Sequence, residues 1–387
     1  MSNKKFFKDF ELDMKYYFGA LLNKPLVKPH WIYISLLHKC NLKCSMCGVS
    51  KILRKHELSF KEIKKILDEV ASWKADSRIQ LTGGEPLLRK DIFKIIKYST
   101  SLKLITELVS NGVLINKNTA KKIIQSDLWG IAVSLDGSKP ETHNQIRGMK
   151  GSFEKTVKGL KLLVEEKKEQ KSNIQISIWT TIMNQNINEL ENIASLAEKI
   201  GVDCLIYHPV ILSQTDMQHT KREGSMWVPK QKLNILRKQI DKLVEFKEKN
   251  GLIEFLHNPY WFVKYFDKTI RNTNWKCNPL EFIDIGPNGF VQSCGGEFGS
   301  IKTMTIEESM NTKKAELSRE LMKRCKKPCL QTCWARPSAD NLTNIFQIFF
   351  DNLEKAKLSK SEKKEYVNKS LYLVEQYEDM IKKEFAK

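Results

Sequence analysis

The chain is poor in long apolar runs. None approaches the roughly 18 residues that a membrane span needs; the longest candidates, residues 16–22 and 345–350, are short. A signal peptide is also excluded, because Asp9, Glu11 and Asp13 stand where its apolar core would have to be. Acidic residues are scarce relative to basic ones, 45 against 65, leaving a net charge of +20. That imbalance favours anionic partners such as nucleic acid, phosphorylated metabolites or acidic membranes without choosing among them, and a lysine-rich solvated surface is the simpler reading. Internal repeats, low-complexity linkers and a glycine-rich phosphate loop after the first strand are lacking too.

What remains suits a folded protein of the cytoplasm. Of the 387 residues, 41% are hydrophobic and 28% charged, so a sizeable core can form. The length predicts two or three domains. In a reducing compartment, clustered cysteines indicate metal ligation more than disulfides. The nine cysteines are indeed clustered: three at 40, 44 and 47, one alone at 204, and five at 277, 294, 325, 329 and 333. Two metal centres in two segments follow.

Between residues 31 and 258 strand-like and helix-like segments alternate. The strand candidates are 31–37, 78–82, 105–110, 130–135, 174–182 and 203–207, with 253–256 a weaker seventh. The helical patterns are 60–73, 91–98, 119–126, 153–168, 189–200 and 230–249, with apolar residues recurring at three and four, as in Ile63, Ile66, Leu67 and Val70. Such alternation implies a parallel sheet with right-handed crossovers, and here a partial (β/α)6 TIM-like barrel in an α/β chain. Beyond about residue 259 the alternation stops. Residues 307–324 read as one helix, and 342–387 as one or two amphipathic helices. The expected units are an N-terminal extension (1–30), a barrel (31–258), a cysteine-bearing segment (259–341) and a helical tail (342–387).

Cys40, Cys44 and Cys47 form a C-x3-C-x2-C cluster just after the first strand, at the end of a barrel where active sites are built. Three thiolates can hold three corners of a [4Fe–4S] cube, which normally takes four, and leave one iron open. Structural zinc is the rival and would need a fourth ligand such as His38 or His56. The later strand ends carry Thr82-Gly83-Gly84-Glu85-Pro86, Ser110-Asn111-Gly112, Ser134-Leu135-Asp136-Gly137 and the segment His143 to Gly148.

Together these motifs resemble the radical S-adenosylmethionine (SAM) superfamily, over about residues 31–258. The resemblance implies that Cys40, Cys44 and Cys47 bind a SAM-binding [4Fe–4S] cluster and that SAM chelates the open iron. It further implies that Gly83, Gly84, Glu85 and Pro86 meet the amino group, that Arg147 offers a fork to the carboxylate, and that Ser110, Asn111, Ser134 and Asp136 serve the ribose. Met46 stands where an aromatic often lies beside adenine. Taken singly, the GGEP and SLDG pieces are common turns, Arg147 is an ordinary surface charge, and Ser110 or Ser134 caps a helix. The chemistry implied is reductive cleavage of SAM to a 5′-deoxyadenosyl radical, which abstracts hydrogen from a substrate carbon.

The late cysteines resemble the C-terminal SPASM extension of such enzymes, or its shortened Twitch form. Cys277, Gly289 and Cys294 match the opening pattern, and five cysteines suit one auxiliary [4Fe–4S] cluster rather than two. The expected ligands are Cys277, Cys294, Cys329 and Cys333, with Cys325 as the spare. Structural zinc is again the rival. An electron donor such as flavodoxin or ferredoxin is implied. Only about 30 residues precede the first strand, which argues against a leader-binding module there and favours a small molecule or a separately delivered substrate, although peptide maturation stays in play. Two other functions compete: RNA modification, prompted by the charge, and a non-catalytic iron–sulfur electron-transfer or sensing protein, which would have no use for an amino-acid clamp. Cys204 and the aromatic stretch 260–266 are read as core. His208 and residues 213–227 are placed on the active-site rim.

Overall fold

The computed structural model describes residues 5–49, 57–211, 225–272, 279–294, 296–326, 329–330 and 341–386. One ten-stranded sheet organises them, in the order β10-β9-β8-β1-β2-β3-β4-β5-β6-β7. Strands β1 (Trp31–Ser35), β2 (Arg78–Thr82), β3 (Ile105–Ser110), β4 (Gly130–Ser134), β5 (Gln175–Ile182), β6 (Cys204–Pro209) and β7 (Ile253–Glu254) are the seven expected from sequence, and all pair in parallel. The fold is the expected partial barrel of an α/β chain.

Between the strands run α2 (Phe60–Ser72), α3 (Ile92–Ser101), α4 (Lys117–Ile124), α5 (Pro140–Arg147), α6 (Ser152–Gln170), α7 (Leu190–Ile200) and α8 (Leu233–Asn250). Their apolar stripes and one face of the sheet form the main core, in which Ile32, Ile34, Ile79, Leu81, Ile131 and Leu205 are fully buried. Local chemistry sets the boundaries. Ser59 opens α2 with a capping box, accepting from the Glu62 amide while its own amide donates to the Glu62 carboxylate. Gly201 ends α7 in the left-handed conformation, at φ +86°.

Three further strands were not expected. β8 (Phe282–Ile285) pairs in parallel with β1, and β9 (Phe290–Ser293) and β10 (Gly296–Ser300) follow as antiparallel neighbours. The barrel sheet therefore continues without a break into the cysteine-bearing segment. The single helix expected over 307–324 is two helices. One is Ile306–Met310 and the next is Lys313–Lys323, because Thr312 leaves the helical conformation to cap the second by accepting from the Ala315 amide.

The two ends of the described chain meet. The N-terminal helix α1 (Lys5–Leu22) packs on the tail helices Leu342–Lys355 and Lys360–Phe385 through Phe6, Phe10, Phe18, Phe349 and Tyr377. The Phe10 and Phe349 ring centres are 4.5 Å apart, and Phe18 stacks on Tyr377 at 4.4 Å. No helix among the described residues is long and apolar enough to cross a membrane.

Truncating Phe349 to Ala should remove the centre of that aromatic cluster and destabilise it by about 3–5 kcal/mol. Hydrogen exchange across 342–385 should then accelerate, while the strands of the barrel keep their protection.

Candidate functional site

The three early cysteines lie on the loop after β1, and backbone contacts from two other strand-end turns hold that loop. The Leu36 amide donates to the Thr82 carbonyl at 2.8 Å, the Gly84 amide to Leu37 at 2.7 Å and the Glu85 amide to Lys39 at 2.9 Å. Gly83 has φ +124°, which side chains rarely adopt. A Cβ on Gly84 would sit 2.0 Å from the Lys39 carbonyl oxygen. From the other side, the Ser45 amide donates to the Ile146 carbonyl at 2.8 Å. A Cβ on Gly148, which has φ +65°, would fall 2.2 Å from the Lys43 carbonyl oxygen. The cysteine loop is thus gripped at both ends by glycine turns that leave no room for a side chain.

Polar side chains complete the walls. The Glu85 carboxylate is 1% exposed and accepts from the Ser110 hydroxyl at 2.9 Å, the Asn111 amide at 2.8 Å and the Leu87 amide at 3.1 Å. Burial raises its pKa against those bonds. Asn111 Nδ2 reaches Asn41 Oδ1 on the cysteine loop at 2.8 Å. Glu85, Ser110 and Asn111 therefore spend their hydrogen bonds on tying β2, β3 and the cysteine loop together. Pro86 is buried and starts a short 3-10 turn, Met46 packs partly buried against the main core, and Ser134 is half-buried at the end of β4.

Asp136 and Arg147 form a buried ion pair, Nη2 to Oδ2 at 2.6 Å. Arg147 Nη1 lies 3.9 Å from the Cys44 sulfur, and its Nε is buried with no partner. Burial raises the Cys44 thiol and the guanidinium opposes it; burial also raises Cys40. His143 accepts the Asp136 amide at Nδ1, 3.2 Å away. Burial, and secondarily Arg147, push His143 down to about 3, so this ring is neutral at physiological pH.

Thiols are soft donors suited to iron–sulfur clusters. Three of them on one clamped loop, beside a guanidinium with a free buried N–H, fit a [4Fe–4S] cluster with a carboxylate-bearing cosubstrate. Among the described residues no three His, Cys, Asp or Glu side chains gather closely enough to hold a single metal ion. Of the late cysteines, Cys294 is exposed, Cys325 is half-buried behind Lys313–Lys323, and Cys329 packs against the main core. Cys277 and Cys333 lie outside the described residues, as do His56 and residues 212–224 of the expected rim. His38 is half-buried, and its amide donates to Glu57.

The face of the sheet turned away from the helices carries His208, expected on the rim, and residues that sequence reasoning passed over, Trp179 and Glu107 among them. Tyr207 faces the helices, since its hydroxyl donates to the Leu190 carbonyl, so its neighbour His208 faces the interior. His208 meets Trp179 edge-on at 4.9 Å, and burial lowers it to about 4. Cys204, expected as core, is only half-buried. Its thiol points at Glu254, 3.6 Å away, and burial pushes it up to about 12. One register row runs Asp284, Tyr33, Gln80, Glu107. Glu107 accepts from Gln80 at 2.8 Å, and burial raises it to about 7. A charged residue in the middle of the apolar strand ITELVS was the signal that could have found it. Of the aromatic stretch, Phe262, Tyr265 and Phe266 are core as expected, whereas Tyr260 is exposed.

Three clamped cysteines at the first strand end of an open parallel barrel present thiol ligands for an iron–sulfur cluster. Residues 34–197 match the model of the Radical SAM superfamily, and they form a radical SAM domain. The chain is 35% identical over 189 residues to an AdoMet-dependent heme synthase of Methanosarcina barkeri, covering 48% of this chain and 52% of that protein. It is 33% identical over 167 residues to mycofactocin maturase MftC of Mycolicibacterium smegmatis, covering 43% and 41%. The chain spans about half the length of the curated relatives it matches first. Native anSMEcpe with bound AdoMet and the Kp18Cys peptide shares the fold, with a TM-score of 0.58 at 18% identity over 89% of this chain and 99% of that one.

Two outcomes test this geometry. Gly84→Ala should displace the Lys39 carbonyl and lower iron uptake at the loop severalfold, read as iron per chain after anaerobic reconstitution. Glu107 has its folded pKa raised from 4.5 to about 7, so the folded state holds a proton that the unfolded chain has lost. Its contribution is therefore largest below pH 4.5 and is lost as pH rises to 7, by roughly 3 kcal/mol in all. Urea unfolding of Glu107→Gln should be flatter than wild type across pH 5–7.

Proposed function

We propose that the chain is a radical SAM enzyme acting on a substrate carbon. The observation that carries this reading is the double clamp on the Cys40–Cys47 loop, from the Gly83–Gly84 turn on one side and the 146–148 turn on the other. When bound, the cluster and SAM supply reductive cleavage to a 5′-deoxyadenosyl radical and hydrogen abstraction from substrate. Cys40, Cys44 and Cys47 would hold that cluster. The backbone of Gly83 and Gly84 could approach the amino group of SAM, the free Nε of Arg147 could donate to its carboxylate, and Ser134 and Met46 would serve the nucleoside. Glu85, Ser110, Asn111 and Asp136 support these groups through the internal bonds described above. The barrel interior, walled by Trp179, His208 and Glu107, would orient substrate and keep water away.

The same reading assigns one auxiliary [4Fe–4S] cluster to the 259–341 segment, held by four of Cys277, Cys294, Cys325, Cys329 and Cys333, where it would assist oxidation or modification. It also places the protein in the cytoplasm with an electron donor such as flavodoxin or ferredoxin. The substrate is a small molecule or a peptide. The heme synthase resemblance supports the first, and the maturase together with the peptide-bound fold neighbour supports the second.

Anaerobic reconstitution with iron and sulfide, followed by dithionite and SAM, should yield 5′-deoxyadenosine. Cys44→Ala should abolish it. Zinc in place of iron, or no product from the wild type, would end this reading.

A further inference from the structure

Asp136 is held more tightly than a residue waiting for a ligand. Four contacts fix it: its amide donates to His143 Nδ1 at 3.2 Å, its carbonyl accepts from Asn186 Nδ2 at 2.9 Å, Oδ1 accepts from the Thr181 amide at 2.8 Å, and Oδ2 pairs with Arg147 at 2.6 Å. The side chain has no exposed surface. Its carboxylate thus faces β5 with one oxygen and Arg147 with the other. The guanidinium in turn directs Nη2 to Asp136 and Nη1 to the Cys44 sulfur, 3.9 Å away. The turn carrying Arg147 is stapled to the same loop by the Ser45 amide and by the Gly148 contact with Lys43.

We propose that Asp136 is a positioning residue that seats the Arg147 guanidinium against the Cys44 sulfur, and that this seat adjusts the reduction potential of the cluster on that loop before SAM arrives. Hydrogen bonds to ligating sulfur and local net charge are two of the quantities that set such potentials. The fork geometry explains why arginine is needed, since one group must reach a carboxylate and a sulfur at once. In this arrangement both carboxylate oxygens are buried, one facing the Thr181 amide and the other the Arg147 guanidinium. The inference rests on the radical SAM reading of the site.

The test is an EPR-monitored redox titration of the reconstituted full chain without SAM, with the Cys44→Ala signal subtracted to remove the auxiliary cluster. Arg147→Gln leaves a bare carboxylate near the cluster and removes the N–H, so its potential should lie lowest. At a fixed poise its ratio of reduced to oxidised cluster should fall about tenfold, equivalent to 59 mV for one electron. Asp136→Asn should release the guanidinium and match the double variant Asp136→Asn/Arg147→Gln, both lying between Arg147→Gln and wild type at unchanged iron content. The double variant buries no lone charge, so it remains readable if Arg147→Gln does not fold. The proposal is overturned if Asp136→Asn keeps the wild-type potential and only weakens SAM binding, as a ribose ligand would, or if its potential rises because the guanidinium stays in place. A wild-type signal identical to that of Cys44→Ala would bring down the radical SAM reading itself, and this inference with it.

Discussion

The site depends on close backbone contact between the cysteine loop and two glycine turns. At Gly84 and Gly148 a methyl group would lie about 2 Å from a loop carbonyl, well inside van der Waals contact. The loop follows a strand but forms no regular structure, and its three thiols repel one another once ionised. Backbone amides from Gly84, Glu85 and the loop's own Ser45 fix its path where side-chain packing cannot. The barrel's role is to bring the ends of β1, β2 and the α5 turn to one place, so that residues 45 to 105 positions apart can lace together.

A second layer makes this arrangement rigid. Glu85 binds β3 to β2, Asn111 reaches back to Asn41, and Asp136 joins β5 to Arg147. Removing one member of the buried Asp136–Arg147 pair would leave an uncompensated charge and cost about 3–5 kcal/mol. Such networks are restrictive: the Glu85 carboxylate accepts three donors, which leaves it little to offer a ligand. The buried Nε of Arg147 remains available.

Much of this was legible in the sequence because it is periodic or local. Seven strands and their helices follow from alternating apolar patterns, and the cysteines with their companion motifs fall on successive strand ends. The short strands β8, β9 and β10 were missed because four or five residues around Gly286, Gly289 and Gly296 carry little periodicity. They become strands only because β8 finds the free edge of β1. The docking of α1 on the tail helices is a contact between the two ends of the chain, which no local pattern encodes. The internal commitments of Glu85, Ser110 and Asp136 were equally invisible, since a motif names a residue without saying which way its hydrogen bonds run. The interior placement of Glu107 and His208 depends on which face of a strand meets the helices, and that is set by pairing.

The central claim is that one iron on the Cys40–Cys47 loop stays open and takes SAM. Electron–nuclear double resonance on the reduced protein, given SAM labelled with 15N at its amino group, tests it most directly. A nitrogen hyperfine coupling present in the wild type and absent in Cys44→Ala is the predicted result. A reduced cluster that shows no coupling to the label, while SAM is bound, would contradict the account.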